Sequence, residues 1–116
     1  MSKLKETKTG AKKHSAGKLP LHLVPPEAVE AIAEGLQVGI FKGYGSRNWE
    51  KGLPLYECHI GACLRHIYAW VNSSVSDINV ELAEEGEHAG EEIKIHHLYA
   101  ALTNLAMAVT QVKRGS

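Results

Sequence analysis

"SSVSDINVELAEEGEHAGEE", Ser73 to Glu92, is the stretch on which the fold class of this chain turns. Its acids and glycines carry no helical apolar period, so it reads as a polar loop with at most a short helical turn. With no convincing strand elsewhere, the chain is then all-α: a small bundle of three long helices. The first is expected over about residues 26–42, with Pro26 in the first helical position, where its missing N–H costs nothing. Val29, Ile32, Ala33, Leu36 and Ile40 form its apolar side, and Gly35 and Gly39 allow another backbone close. The second is expected over about residues 53–74, with Ile60, Leu64, Ile67 and Val71 as its stripe. A third, from about Glu91 to Lys113, has Leu98, Ala101, Leu105, Ala108 and Val112 on one side. Its acidic start and basic end both suit a helix dipole.

A chain of 116 residues is one domain's worth, so one modest core is expected. The formal net charge of zero conceals an asymmetry: six lysines and one glutamate fall in residues 1–18, leaving the remainder at −5. A flexible basic tail over 1–17 on a single helical domain over 18–116 follows, with no stable nucleic-acid complex expected. No apolar run approaches the length of a membrane span, and no leader is visible. Cys58 and Cys63 are five apart on an expected helix and point in different directions, so they read as reduced thiols of a cytoplasmic protein. Three helices of this length expose apolar faces that one small domain cannot cover, so a homo-oligomer is expected.

Several side chains have the means for chemistry. Glu27, Glu30 and Glu34 fall within roughly 60° on a helical wheel. Such a carboxylate ladder either holds Mg²⁺, a hard cation that takes oxygen ligands, or is a solvated face. Asp77 and Glu81 supply carboxylates from a second element, as a site between helices requires. His59, His66 and Trp70 share one side of the second helix, as His97 and Asn104 share a face of the third. No zinc-like spacing completes the set. "FKGYGSRNWEKG", Phe41 to Gly52, puts Gly43 and Gly45 around Tyr44, which implies backbone conformations closed to other residues. Arg47 carries the fork that grips phosphate, Asn48 reads a base or ribose edge, and Trp49 stacks or plugs the core. The same composition also suits a sharp turn that buries a Trp. A GK[ST] ending is missing, which excludes a P-loop ATPase.

"GKLPLHLVPPEAVEAIAEG", "GYGSRNWEKGLP", "LRHIYAW" and "HHLYAALTNLAMA" resemble, in that order, a small phage-encoded family. It is the dATP/dGTP diphosphohydrolase N-terminal-domain family, related to the all-α MazG-like nucleotide pyrophosphohydrolases. The resemblance implies Mg²⁺-dependent hydrolysis of a (deoxy)nucleoside triphosphate to monophosphate and pyrophosphate, as phage nucleotide-pool editing in the host cytoplasm. It makes Glu30 and Glu34 the catalytic ligands, with Glu27, Asp77 and Glu81 completing the metal set. Tyr44, Arg47, Asn48, Trp49, His66 and His97 match family positions and are implied around the nucleotide; by their chemistry Lys18 joins Arg47 as a phosphate contact and Asn104 is an alternative to Asn48 for a hydrogen bond to it. This chain departs from the pattern at Asn79, where the family tends to have an acid, at Ala100, where a second histidine is expected, and in an insertion after Glu81. Each departure weakens metal binding more than nucleotide binding. A second expectation therefore stands beside the first: a non-catalytic protein that sequesters a nucleotide, or a cyclic signalling nucleotide of host defence.

Overall fold

The computed structural model describes residues 17–45, 47–72 and 76–115, together with short strands at Leu4–Glu6 (β1) and Lys12–His14 (β2). β1 and β2 pair antiparallel, Leu4 with His14. The rest of the expected flexible tail, residues 1–17, lies largely outside the described residues. Three long helices follow: α1 (Pro26–Phe41), α2 (Gly61–Asn72) and α3 (His97–Lys113).

An all-α fold is not what forms. Between α2 and α3 the chain makes β3 (Ile78–Leu82) and β4 (Glu92–His96), an antiparallel hairpin with Asn79 opposite Ile95 and Glu81 opposite Ile93. Among the described residues, three long helices are joined by this two-stranded sheet and by the short β1–β2 pair. The alternation in "INVEL" and "EIKIH" has the period of two that strands require. It is disguised because β3 runs inverted. Its polar Asn79 and Glu81 share the inner face with buried Ile93 and Ile95, while Ile78, Val80 and Leu82 face outward. Ala83 continues the ladder, donating to Glu91 O at 2.9 Å and accepting from Gly90 N at 2.8 Å. The third helix accordingly starts at His97, and Glu91 and Glu92 belong to the hairpin rather than to a helix N-terminus. His96 caps α3 instead, its Nδ1 accepting from Leu98 N at 2.9 Å.

Contacts along α3 fix its register against residues 50–70. Arg114 pairs with Glu50 at 3.1 Å, Gln111 Nε2 donates to Leu53 O at 3.1 Å, and His66 meets His97 at 3.0 Å. The partners' numbers rise on one side as they fall on the other, so α3 runs antiparallel to α2 and to the segment before it. That segment, Leu55–Ile60, is a π-helical turn that leads directly into α2. Such turns are rare and occur often at functional sites.

Small residues make the core. Ala31, Cys63, Ala83, Ala100, Ala101 and Ala108 are buried, with Ile93, Ile95, Thr103 and His59. On α3 the alanines face inward, while Leu98, Leu105, Val109 and Val112 stay exposed. α1 crosses α3 so closely that a Cβ on Gly35 would stand 1.8 Å from Thr103 Oγ1. Thr103 Oγ1 donates to Tyr99 O at 2.9 Å and also approaches Ile32 O of α1 at 3.3 Å. Among the described residues no helix is long and apolar enough to cross a membrane.

Candidate functional site

α2 and α3 carry polar side chains in two rungs. In the first, His66 Nδ1 lies 3.0 Å from His97 Nδ1. A contact this short needs one ring to donate and the other to accept, so a neutral pair holds one Nδ1–H and one Nε2–H tautomer. The two remaining nitrogens are then one acceptor and one donor. Burial holds the His66 imidazole below its usual range, the neighbouring His97 pushes it the same way, and Glu81 opposes them. The second rung lies seven residues further along α3 and seven residues before His66, in the π-helical turn that leads into α2, where the register sets His59 opposite Asn104. His59 is 1% exposed, and neither of its ring nitrogens has a hydrogen-bond partner. Burial lowers its pKa and the adjacent Asn104 amide partly offsets the shift. That amide nevertheless donates elsewhere, to Ala100 O at 2.9 Å.

Both rungs line a cavity of about 700 Å³ between α1, α2, α3 and the hairpin. Ligand sites of small molecules commonly have this size. Lys42, at the end of α1, enters it and binds Glu81 Oε1 at 3.0 Å. Burial works against the ammonium, but the hydrogen bond and charge of Glu81, with help from Tyr44, outweigh it and hold the Lys42 pKa above its ordinary value. Lys42 Nζ also sits 5.3 Å from the Tyr44 ring centre. The second Glu81 oxygen accepts from Asn79 Nδ2 at 3.2 Å. Arg65 of α2 joins the same wall, which thus carries Lys42, Arg65 and the histidine pair against Glu81 and Glu57.

The glycine-rich segment after α1 closes one side of the cavity. Gly43 has φ +101°, and a Cβ there would meet Glu85 O at 2.8 Å, so only glycine lets the hairpin loop rest on the end of α1. Gly45 takes no such conformation, contrary to the expectation that both glycines are required, whereas Gly52 does, with φ +89°. Asn48 and Trp49 lie on the cavity wall. Arg47 does not: its side chain is 78% exposed and pairs with Glu50 at 3.1 Å. Arg114 reaches the same carboxylate and lies 5.5 Å from the Trp49 ring centre. Together Arg47 and Arg114 hold the Glu50 carboxyl below its usual range. Trp49 thereby ties the loop to the end of α3.

Of the residues expected around a nucleotide, Tyr44, Asn48, Trp49, His66, His97 and Asn104 line the cavity, and Lys18 and Arg47 do not. Of the expected metal ligands, Glu81 lines it, while Glu27, Glu30, Glu34 and Asp77 lie exposed and off its wall. Among the wall residues absent from the expected set are Lys42, Arg65 and His59. The equal seven-residue spacing of His59–His66 and His97–Asn104 is the sequence signal that marks His59. Lys42 carried no signal, because its place depends on the hairpin that supplies Glu81.

The family model for dATP/dGTP diphosphohydrolase, N-terminal, matches residues 8–116. The chain belongs to that family. Comparison with curated proteins and with solved structures gave no match. Among the described residues no three His, Cys, Asp or Glu side chains group to hold a metal ion. Glu81 has one oxygen on Lys42 and the other on Asn79. The described residues therefore form no all-protein cage for Mg²⁺, a cation usually held by one or two carboxylates together with waters and substrate phosphates.

Proposed function

We propose that this chain binds a deoxynucleoside triphosphate in the cavity and hydrolyses it to the monophosphate and pyrophosphate. The observation that carries the reading is the wall formed by Lys42, Arg65, His66 and His97, a cationic and imidazole cluster at the edge of a nucleotide-sized cavity. Membership of the dATP/dGTP diphosphohydrolase N-terminal family supports it. Lys42 and Arg65 offer charge to phosphate oxygens and to the departing pyrophosphate. His66, whose pKa burial lowers, and its partner His97 offer an imidazole nitrogen to take a proton from the attacking water and a second N–H to orient it. Mg²⁺ enters this reading as the counter-ion that accompanies the triphosphate.

One observation favours a second reading. The carboxylates do not converge, and Asn79 and Ala100 stand where the family resemblance implies an acid and a histidine. A pocket of that kind binds a nucleotide without cutting it. One experiment separates the two: incubation of the purified protein with a panel of dNTPs and NTPs, with and without Mg²⁺, and resolution of products by ion-exchange chromatography. Monophosphate and pyrophosphate in equal amounts support hydrolysis. Nucleotide recovered intact, together with calorimetric binding, sinks hydrolysis and leaves the binder.

The same reading includes a homo-oligomer. Leu98, Leu102, Leu105, Val109 and Val112 follow the alternating four- and three-residue steps of a heptad seam, and Leu105 is 43% and Val112 64% exposed. A second copy presenting the same stripe is the self-complementary partner such a seam fits.

A further inference from the structure

Among the described residues, His59 is the largest side chain that is fully buried. Both ring nitrogens are withdrawn from solvent, and neither makes a hydrogen bond of good geometry, although the Asn104 amide lies close enough to act on the ring. Leaving a buried polar group unsatisfied is destabilising, so a folded protein retains one only where something offsets it. Its position is informative. It projects from the π-helical turn Leu55–Ile60 onto the wall of the cavity. It lies seven residues before His66, and Asn104 lies seven residues after His97. At the helical rise the two rungs are roughly 10 Å apart, with small Ala62 and Ala100 between them on the wall. That separation matches the reach from a nucleobase edge to the phosphates of one nucleotide.

The two ends differ in chemistry. Lys42 lies by the histidine pair, the end that suits phosphate, and Arg65 carries its guanidinium back beside Gly61, between the two rungs. His59 and Asn104 are uncharged, each able to donate and to accept, and Leu36 and Met107 line the same cavity. Apolar walls with a few fixed donors and acceptors are what a planar heterocycle requires.

We propose that His59 and Asn104 form the base-reading end of the cavity, hydrogen-bonding the polar edge of a nucleobase whose phosphates lie at the His66–His97 end. This rests on the nucleotide reading above and goes beyond it, because it assigns base selectivity to His59. A site built to bond a polar edge rejects the base that lacks it, since its own buried groups are then left unpaired.

The test is calorimetric binding of dATP, dGTP, dCTP, dTTP and inorganic tripolyphosphate to the wild type and to His59→Phe and His59→Gln. Phe keeps a planar ring and removes both nitrogens; Gln keeps a donor and an acceptor. The expected result is that His59→Phe loses about tenfold or more in affinity for the preferred nucleotide and most of its discrimination between bases. Its tripolyphosphate affinity stays at the wild-type value, and His59→Gln recovers part of the discrimination. Thermal stability of His59→Phe equals or exceeds the wild type, because an unpaired buried group is gone. Unchanged base discrimination in His59→Phe overturns the inference and leaves the nucleotide reading standing. An equal loss of tripolyphosphate affinity also overturns it, since His59 then supports the fold rather than the base. A wild type that binds tripolyphosphate but no nucleotide, or neither, removes both readings together. Imidazole ¹⁵N resonances of the wild type give a check independent of substitution: those of His59 shift on adding the preferred nucleotide and stay in place on adding tripolyphosphate.

Discussion

At the scale of single residues, the contact between Gly35 and Thr103 sets how near α1 comes to α3. Gly35→Ala places a methyl 1.8 Å from Thr103 Oγ1 and 2.5 Å from its Cβ, so the helices must part. The expected cost is about 2 kcal/mol, read as a lower urea midpoint. Adding Thr103→Ala leaves the Cβ clash in place and does not restore stability; an unchanged midpoint in Gly35→Ala would refute the close crossing. The buried imidazoles make a second prediction. His59 and His66 both have pKa values lowered by burial, so the unfolded chain binds protons that these rings refuse when folded. Their contribution is fully present above about pH 6.5, the ordinary imidazole value, and is lost as pH falls through the lowered values. Melting temperature should therefore fall between pH 7 and pH 5, and fall less steeply in His59→Phe. A flat profile over that range would show that neither ring is buried neutral.

At the scale of elements, the hairpin of β3 and β4 completes the cavity. It brings Asn79 and Glu81 to the wall on the face that also carries Ile93 and Ile95. Its loop rests on the end of α1 where Gly43 meets Glu85 and Gly86, and Phe41 lies against His88 in a tilted contact with ring centres 4.4 Å apart. The strand's alternation places position 79 beside Glu81, so Asn79→Asp puts a second carboxylate within reach of the first. Two adjacent carboxylates repel each other and attract a divalent cation. Titration calorimetry with Mn²⁺ should show no tight site in the nucleotide-free wild type and a measurable one in Asn79→Asp. A tight site in the unliganded wild type would show that the exposed carboxylates converge after all.

For the whole molecule, the inventory of buried residues governs the outcome. A core made mostly of alanines buries little apolar area, and small domains are already short of it. The large aliphatic side chains lie outside: Leu105 and Val109 on α3, Leu64 and Val71 on α2, with Val71 68% exposed. Light scattering behind size exclusion should report a homo-oligomer for the wild type. Leu105→Lys with Val109→Glu should move the mass towards one chain and lower the melting temperature. A monomeric wild type would leave the exposed stripes without the partner proposed for them.

The sequence by itself determined the family, six of the neutral residues on the cavity wall, and that three long helices form, though it started the second and third eight and six residues early. Helix periodicity, Pro26 at a helix start and the order of short motifs are local properties, readable without knowing what packs on what. Tertiary structure alone decided the rest. β3 was hidden because its inward residues, Asn79 and Glu81, face a polar cavity rather than a core, which inverts the usual pattern of burial. The apolar side of α3 was legible as a stripe, yet which side turns inward depends on how near the helices approach, and the alanine side allows the nearer approach. Arg47 had the chemistry for phosphate, but Glu50 lies three residues away and holds it outside. Lys42 had no motif and became a cavity residue only through Glu81, thirty-nine positions later. Distance along the chain hides such pairs, because a charge's partner is set by the packing of whole elements and not by its neighbours in sequence.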